Sequence, residues 1–221
     1  MGSVILFDVD NTLLDNDAVS ADLRDHLTTA LGAGCSAEYT KLFEALRREV
    51  GYADYLGALQ RYRAEREQEL GIVKVAEYLL EYPFERRLYP GALEAVRAAS
   101  GVGTPAILSD GDIVFQPRKI VRAGLAKAVD ERVLVYIHKE LQLADVARRL
   151  PADHYILVDD KLRILDAVKQ VWGARVTTIF VRQGHYAMDP EVLAAHPPAD
   201  ITIERVGDLR QFDWTRALPQ R

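Results

Sequence analysis

Near the start of the chain, four apolar residues at positions 4–7 (VILF) run directly into Asp8, Val9 and Asp10. A short apolar run without polar alternation is the pattern of a strand buried on both faces, and such strands belong to sheets covered by helices on either side. Asp8 and Asp10 then stand at the mouth of that strand, where the Asn11-Thr12 turn splays them around a common point. Two carboxylates held so close repel each other unless a cation sits between them. A hard divalent ion such as Mg2+ answers that need, because it prefers carboxylate oxygens and keeps part of its water shell.

From Pro90 onward, helical and strand patterns alternate. Helices are predicted over 90–99, 117–123, 141–149 and 162–171, and strands over 105–108, 133–137, 155–158, 176–181 and 201–203. This repetition predicts an α/β fold on a parallel sheet, with ligands bound at the carboxyl ends of the strands. Between Asp15 and Leu88 the pattern is helical throughout. Helices are predicted over 21–31, 37–50, 53–70 and 73–81, with Ser20 and Ser36 as N-caps and Gly32, Gly51 and Gly71 at the ends. Leu42, Phe43, Leu46 and Val50 recur at spacings of three and four, as do Leu56, Leu59 and Tyr62 or Arg63, so each helix buries one stripe in a small bundle. The charged stretch RYRAEREQEL reads as a solvated face. The expected organisation is a core of residues 1–15 and 88–221, with a helical-bundle insertion of residues 16–87.

With 221 residues, 49% hydrophobic and 28% charged, the chain falls in the ordinary globular range, and its net charge of -5 offers no surface for nucleic acid. The opening MGSVILFDVD has neither a basic n-region nor a long apolar core, and no later run reaches the length of a membrane span, so a cytoplasmic protein without membrane or nucleic-acid partners is expected. Cys35 is the single cysteine, which rules out an intrachain disulfide and a cysteine zinc site.

Each predicted core strand presents polar groups where it ends. The first presents Asp8 and Asp10, the second Ser109, Asp110 and Gly111, the third His138 and Lys139, and the fourth Asp159 and Asp160. A hydroxyl and an ammonium both hold phosphate oxygens, and several carboxylates hold a divalent ion. Together they describe a phosphoryl-transfer site, where an aspartate can serve as the nucleophile.

DVDNTLLD, followed by LSDG, IHKE and VDDK in that order, resembles the four motifs of the haloacid dehalogenase (HAD) superfamily, and the resemblance covers nearly the whole chain. It implies a Rossmann-like core, Mg2+, and a helical cap inserted between the first and second motifs. By the same resemblance, Asp8 is the nucleophile and Asp10 the general acid and base, with its backbone carbonyl on the metal. Thr12 supports the loop, and Ser109 with the backbone amide of Asp110 binds the phosphoryl group. Lys139 neutralises Asp8 and the phosphate, while Asp159 and Asp160 complete the metal site, Asp160 being the preferred ligand. Two departures stand out: Asp159 occupies the place where many relatives have Gly, and no proline follows Lys139, which leaves His138 as a competitor for its role. Asp166 falls late enough to be a helix-surface residue. The implied activity is Mg2+-dependent hydrolysis of a small phosphorylated metabolite through an aspartyl phosphate, by a monomer or homodimer. A phosphomutase, a 2-haloacid dehalogenase and a non-catalytic regulatory protein are the alternatives on this scaffold. Tyr52, Tyr55 and Arg47 in the insertion, and Gln183 or His185 after the fifth strand, are candidates for contacting the substrate; His26, His154 and His196 are expected to be structural or on the surface.

Overall fold

A computed structural model of the chain describes residues 2–64 and 71–219. Strand β1 (Ser3–Phe7) leads into helices α1 (Asn16–Leu31), α2 (Ala33–Val50), α3 (Tyr55–Ala64) and α4 (Gly71–Glu81). The chain continues through α5 (Ala92–Ala99), β2 (Thr104–Asp110), α6 (Phe115–Arg122), α7 (Leu125–Ala128), β3 (Val133–Tyr136) and α8 (Leu143–Arg149). It ends with β4 (His154–Asp159), α9 (Leu162–Trp172), β5 (Val176–Val181), α10 (Gly184–Met188), α11 (Pro190–Ala194), β6 (Ile201–Ile203) and short 3-10 turns. All ladders of the six-stranded sheet are parallel, in the order β3-β2-β1-β4-β5-β6. This is an α/β Rossmann-like fold, and the strand order reverses around β1.

Strand periodicity explains how the apolar runs are buried. Ile5 and Phe7 of β1, with Ile156 and Val158 of β4, pack into one hydrophobic cluster that extends over α5, α6 and the inserted helices. Val4, Leu6, Tyr155 and Leu157 turn the other way, into a second cluster closed by α8 and α9. The central strands therefore have no polar face to alternate with. Among the described residues, no helix is long and apolar enough to cross a membrane.

All six expected strands form, but several helix ends lie elsewhere than the sequence suggests. Helix α1 starts at Asn16 because Ala18 N–H donates to Asp15 Oδ1 at 2.9 Å, making Asp15 the cap in place of Ser20. Ser20 lies inside the helix, its hydroxyl 2.9 Å from that of Tyr55. Ser36 likewise lies inside α2, which begins after Gly32, and its hydroxyl donates to Arg24 O at 3.2 Å. Gly51 does end α2, in a left-handed conformation at φ 84 that costs glycine little. Gly71, expected to end a helix, lies in α4 as the first described residue after position 64, and the residues that would form the preceding helix end lie outside the described ones. The expected helix over 53–70 is present as Tyr55–Ala64, its last six positions lying outside the described residues; Tyr62 is buried and Arg63 exposed. The helix expected over 141–149 is divided into a 3-10 turn (Lys139–Leu141) and α8.

The insertion joins the core through a narrow stem, where Leu14 bridges Leu88, Asp15 N–H donates to Arg87 O at 2.8 Å and Tyr89 N–H donates to Leu13 O at 2.9 Å. At the far end of the sheet, Gly103 precedes β2 where β1 passes closely: a Cβ there would lie 2.4 Å from the Ser3 carbonyl oxygen. Gly103→Ala should therefore cost about 1–3 kcal/mol in chemical denaturation, whereas Gly2→Ala, which meets nothing within 4 Å, should leave the midpoint unchanged.

Candidate active site

The site forms where β1, β2, β3 and β4 end side by side. Phe7 is in register with Val158, and Asp8 N–H extends the ladder by donating to Val158 O at 3.0 Å, which brings Asp8 beside Asp159. Lys139 follows β3 and is wholly buried; its Nζ lies 2.5 Å from Asp8 Oδ1 and 2.7 Å from Asp159 Oδ2. Asp110 fixes the lysine loop, since its Oδ1 accepts the Lys139 backbone N–H at 2.8 Å. His138 packs instead against Gly51 of the insertion and does not compete for this position.

The electrostatics of the cluster follow from burial. Dehydration alone would lower the Lys139 pKa, but Asp159, Asp8 and Asp110 outweigh it and hold the ammonium well above its usual value. Burial pushes Asp159 up to about 6 against the pull of Lys139, with Asp8 raising it further. Burial likewise raises Asp160, against the pull of Lys161 and with Asp159 and Asp8 adding to the rise. The carboxylates of Asp8, Asp159 and Asp160 offer oxygens within 4.8 Å of one another. Asp159 Oδ2 pairs with the Lys139 ammonium at 2.7 Å and Asp159 Oδ1 accepts the Lys161 N–H at 2.8 Å, whereas Asp160 Oδ2 is buried with no hydrogen-bond partner among the described residues. An orphaned carboxyl oxygen grouped with two other acids suits a hard divalent cation, whose charge would favour the ionised form of all three.

Asp10 does not join this trio. Its carboxylate turns to Lys119, whose Nζ lies 2.7 and 3.0 Å from the two oxygens, and to Gln116, whose Nε2 donates to Oδ2 at 3.3 Å. The expectation that both opening carboxylates surround one cation is therefore not met by the Asp10 side chain, whereas the backbone carbonyl that the resemblance puts on the metal is unaffected by these contacts. Ser109 is buried and accepts from the same Gln116 Nε2 at 3.0 Å. Gly111 makes this approach feasible: a Cβ there would lie 2.6 Å from Gln116 Cβ. Thr12 Oγ1 spans the two acid groups, 3.4 Å from Asp8 Oδ2 and 3.4 Å from Asp160 Oδ1. Asn11, at φ 61, accepts the Asn16 and Asp17 N–H groups at 3.0 and 3.2 Å, so the DVDNT turn also starts helix α1.

Lys119 and Gln116 carry no role in the sequence-based reading, which predicts a helix over 117–123 and nothing further. The available signal was a glutamine and a lysine three residues apart, on one helix face directly after LSDG. Lys161, quoted within VDDK but given no role, places its ammonium 5.7 Å from the Tyr186 ring centre; burial would lower its pKa, but the charges of Asp160, Asp8 and Asp159 outweigh it and raise the pKa. Arg47 lies over the same ring at 5.3 Å. A cavity of 1160 Å3 opens from Asp10 towards the insertion, lined among others by Tyr52, Tyr55, Arg47, Lys161 and His185. Gln183 instead serves structure, accepting the Val206 N–H at 2.5 Å. Of the remaining histidines, His26 stacks on Tyr78, His154 is buried against Thr177, and His196 sits 3.5 Å from the half-buried Asp166.

The family model for haloacid dehalogenase-like hydrolases matches residues 3–181. The chain belongs to that family. A haloacid dehalogenase-like hydrolase from Burkholderia xenovorans LB400 is 58% identical over 96% of this chain and 99% of its own, with a TM-score of 0.92. L-2-haloacid dehalogenase from Xanthobacter autotrophicus shares the fold at 19% identity, with coverage of 99% and 100% and a TM-score of 0.63. The HAD-hydrolase YfnB from Bacillus subtilis, whose structure holds magnesium, is 17% identical over 95% of this chain and 97% of its own, with a TM-score of 0.64. No match is found among curated protein sequences.

Removing the buried lysine leaves its carboxylates uncompensated. Lys139→Met should lower stability in chelator-treated buffer by about 3–5 kcal/mol at pH 7–8. A carboxyl with a raised folded-state pKa favours the native state when protonated; Asp159 is raised even with Lys139 pulling it down, and losing that pull raises it further, so the deficit should shrink as pH falls from 8 to 5. Urea melts at pH 8 and pH 5 measure both effects, and an equal loss at the two pH values contradicts the charge argument.

Proposed function

We propose that this HAD hydrolase is a Mg2+-dependent phosphomonoester hydrolase, with residues 16–87 serving as the cap over its substrate. The observation that supports this most is the separation of two acids only two residues apart: Asp8 lies in the lysine-neutralised cluster, while Asp10 is held apart by Lys119 and Gln116. One carboxylate is then free to attack phosphorus while the other handles protons.

An Asp8 oxygen attacks the phosphoryl group, and the bond to the ester oxygen breaks as Asp10, in its acid form, gives that oxygen a proton. Asp10, now a carboxylate, takes a proton from water as the water attacks the aspartyl phosphate. Inorganic phosphate leaves and Asp8 is restored. Ser109 and the Asp110 amide hold the phosphoryl oxygens, and Lys139 offsets their charge and that of Asp8. The residues present fit a divalent ion: Asp8, Asp160, Asp159 and the Asp10 carbonyl would hold Mg2+, which when bound neutralises charge on the phosphoryl group. The cavity is far larger than a phosphoryl group, and Arg47 and Lys161 suit an anionic metabolite.

A second reading comes from structural neighbours that are L-2-haloacid dehalogenases. Their identity to this chain is below 20%, which carries the fold alone. The buried acids near position 160 and the separately held Asp10 favour phosphate chemistry.

A panel of phosphorylated metabolites, assayed with Mg2+ and with EDTA, tests the proposal. Asp8→Asn should lower kcat by at least about 10^3-fold while leaving the circular dichroism spectrum unchanged. Turnover of 2-chloropropionate without metal, and of no phosphate ester, would establish the dehalogenase reading instead. Mg2+ should also raise the melting temperature at pH 7.5, by a stabilisation of about 2.7 kcal/mol at 100 times Kd. That gain should shrink towards pH 5, where Asp159 and Asp160 retain protons.

A further inference from the structure

Helix α6 touches both halves of the molecule with neighbouring residues. Phe115, Arg118 and Arg122, spaced three and four apart, face the insertion and its exit. The Phe115 ring lies 5.3 Å from that of Tyr55 and 5.8 Å from that of Phe84. Arg118 Nε donates to Leu80 O at 2.6 Å, and Arg122 pairs with Glu81 at 3.0 Å and donates to Tyr82 O at 3.2 Å. Between these contacts, Gln116 and Lys119 turn to the site, where they hold Ser109 and both oxygens of Asp10.

Lys119 connects the two sets directly. It is buried, yet its ammonium has a third partner in Asn16 Oδ1 at 3.0 Å, on the first residue of α1. Asn16 Nδ2 donates to the Tyr55 hydroxyl at 3.3 Å, and that hydroxyl also meets Ser20 at 2.9 Å. A full charge buried this deeply is stable only while its acceptors stay in place. Moving α1 away would leave the ammonium one acceptor short and would disturb the same group that orients Asp10.

We infer that Lys119 is a positioning residue that makes the geometry of Asp10 depend on the seating of the inserted helices. This rests on the phosphatase reading for its catalytic consequence and on the Lys119–Asn16–Tyr55 contacts for its structural one. The ammonium stabilises the negative charge that Asp10 acquires as it gives its proton to the ester oxygen, and it keeps that carboxylate aimed at the cavity. Gln116 extends the coupling to Ser109, so the seated insertion, the acid and the phosphate-binding hydroxyl are set by one two-turn helix.

The test combines leaving-group dependence with hydrogen exchange. Proton donation matters most for poor leaving groups, so Lys119→Met should lower kcat about 100-fold or more on alkyl phosphates and about 10-fold or less on p-nitrophenyl phosphate, with KM changed little. Lys119→Arg should recover part of the difference. In deuterium exchange followed by mass spectrometry, Lys119→Met should speed exchange in the peptides containing Asn16 to Ser20 and Tyr55 to Leu59. Arg97→Ala, which breaks the exposed pair with Glu94 on α5, should not. Should Lys119→Met fail to fold, Asn16→Ala removes the cross-link without emptying a charged site and should show the same asymmetry to a smaller degree. An active enzyme in which Lys119→Met slows all leaving groups equally, or leaves exchange unchanged, overturns the inference and leaves the phosphatase reading standing. A wild-type protein that turns over no phosphate ester overturns that reading, and exchange then decides the coupling alone: faster exchange supports it and unchanged exchange overturns it.

Discussion

The structure depends on one ammonium placed where water cannot reach it. Lys139 lies between Asp8 and Asp159, all three almost wholly buried. Removing three charges from water is costly, and the mutual attraction of such a group offsets that cost only when the geometry is well fixed. The parallel register provides this by bringing the ends of β1 and β4 level, while the Asp110 carboxylate ties down the loop after β3. The surplus is still negative, because Asp160 adds a further carboxylate with one oxygen unpartnered. The sheet thus creates an electrostatic deficit at one edge, which a bound cation would offset.

A second cation pair divides the labour between the two acids of the opening turn. Separated by a single valine, Asp8 and Asp10 would share one environment if the strand ran on. The turn through Asn11, in a left-handed conformation, sends them to different lysines. Asn tolerates that backbone at modest strain and repays it by capping α1 with its side chain. The same tetrad of residues therefore ends a strand, begins a helix and separates two carboxylates.

Much of this was legible in the residues. The apolar run at 4–7, the later alternation and the polar groups after each strand depend on short-range periodicity, and each of those strands forms. Asp8, Lys139, Asp159 and Asp160 could be grouped because the parallel topology compels strand ends to share an edge. Lys119 could not be found this way, since it lies mid-helix and reaches the site only through the packing of α6. Helix starts were misjudged for a related reason: Ser20 and Ser36 have the chemistry of caps, but Asp15 and Gly32 precede them, and both serines are drawn into contacts with other helices. The spacing of Asp8 and Asp10 suggested one shared cation for both carboxylates, but spacing along a strand does not record which way each side chain turns once the strand ends, and the Asp10 carboxylate turns to Lys119.

The stem at Leu14 and Leu88 has a consequence for how such a protein diversifies. Entry and exit of the insertion lie side by side, so the polypeptide between them can be exchanged, lengthened or rebuilt by recombination without shifting the register of a single sheet strand. The strand-end cluster and the inserted helices can thereby vary independently of one another along a lineage.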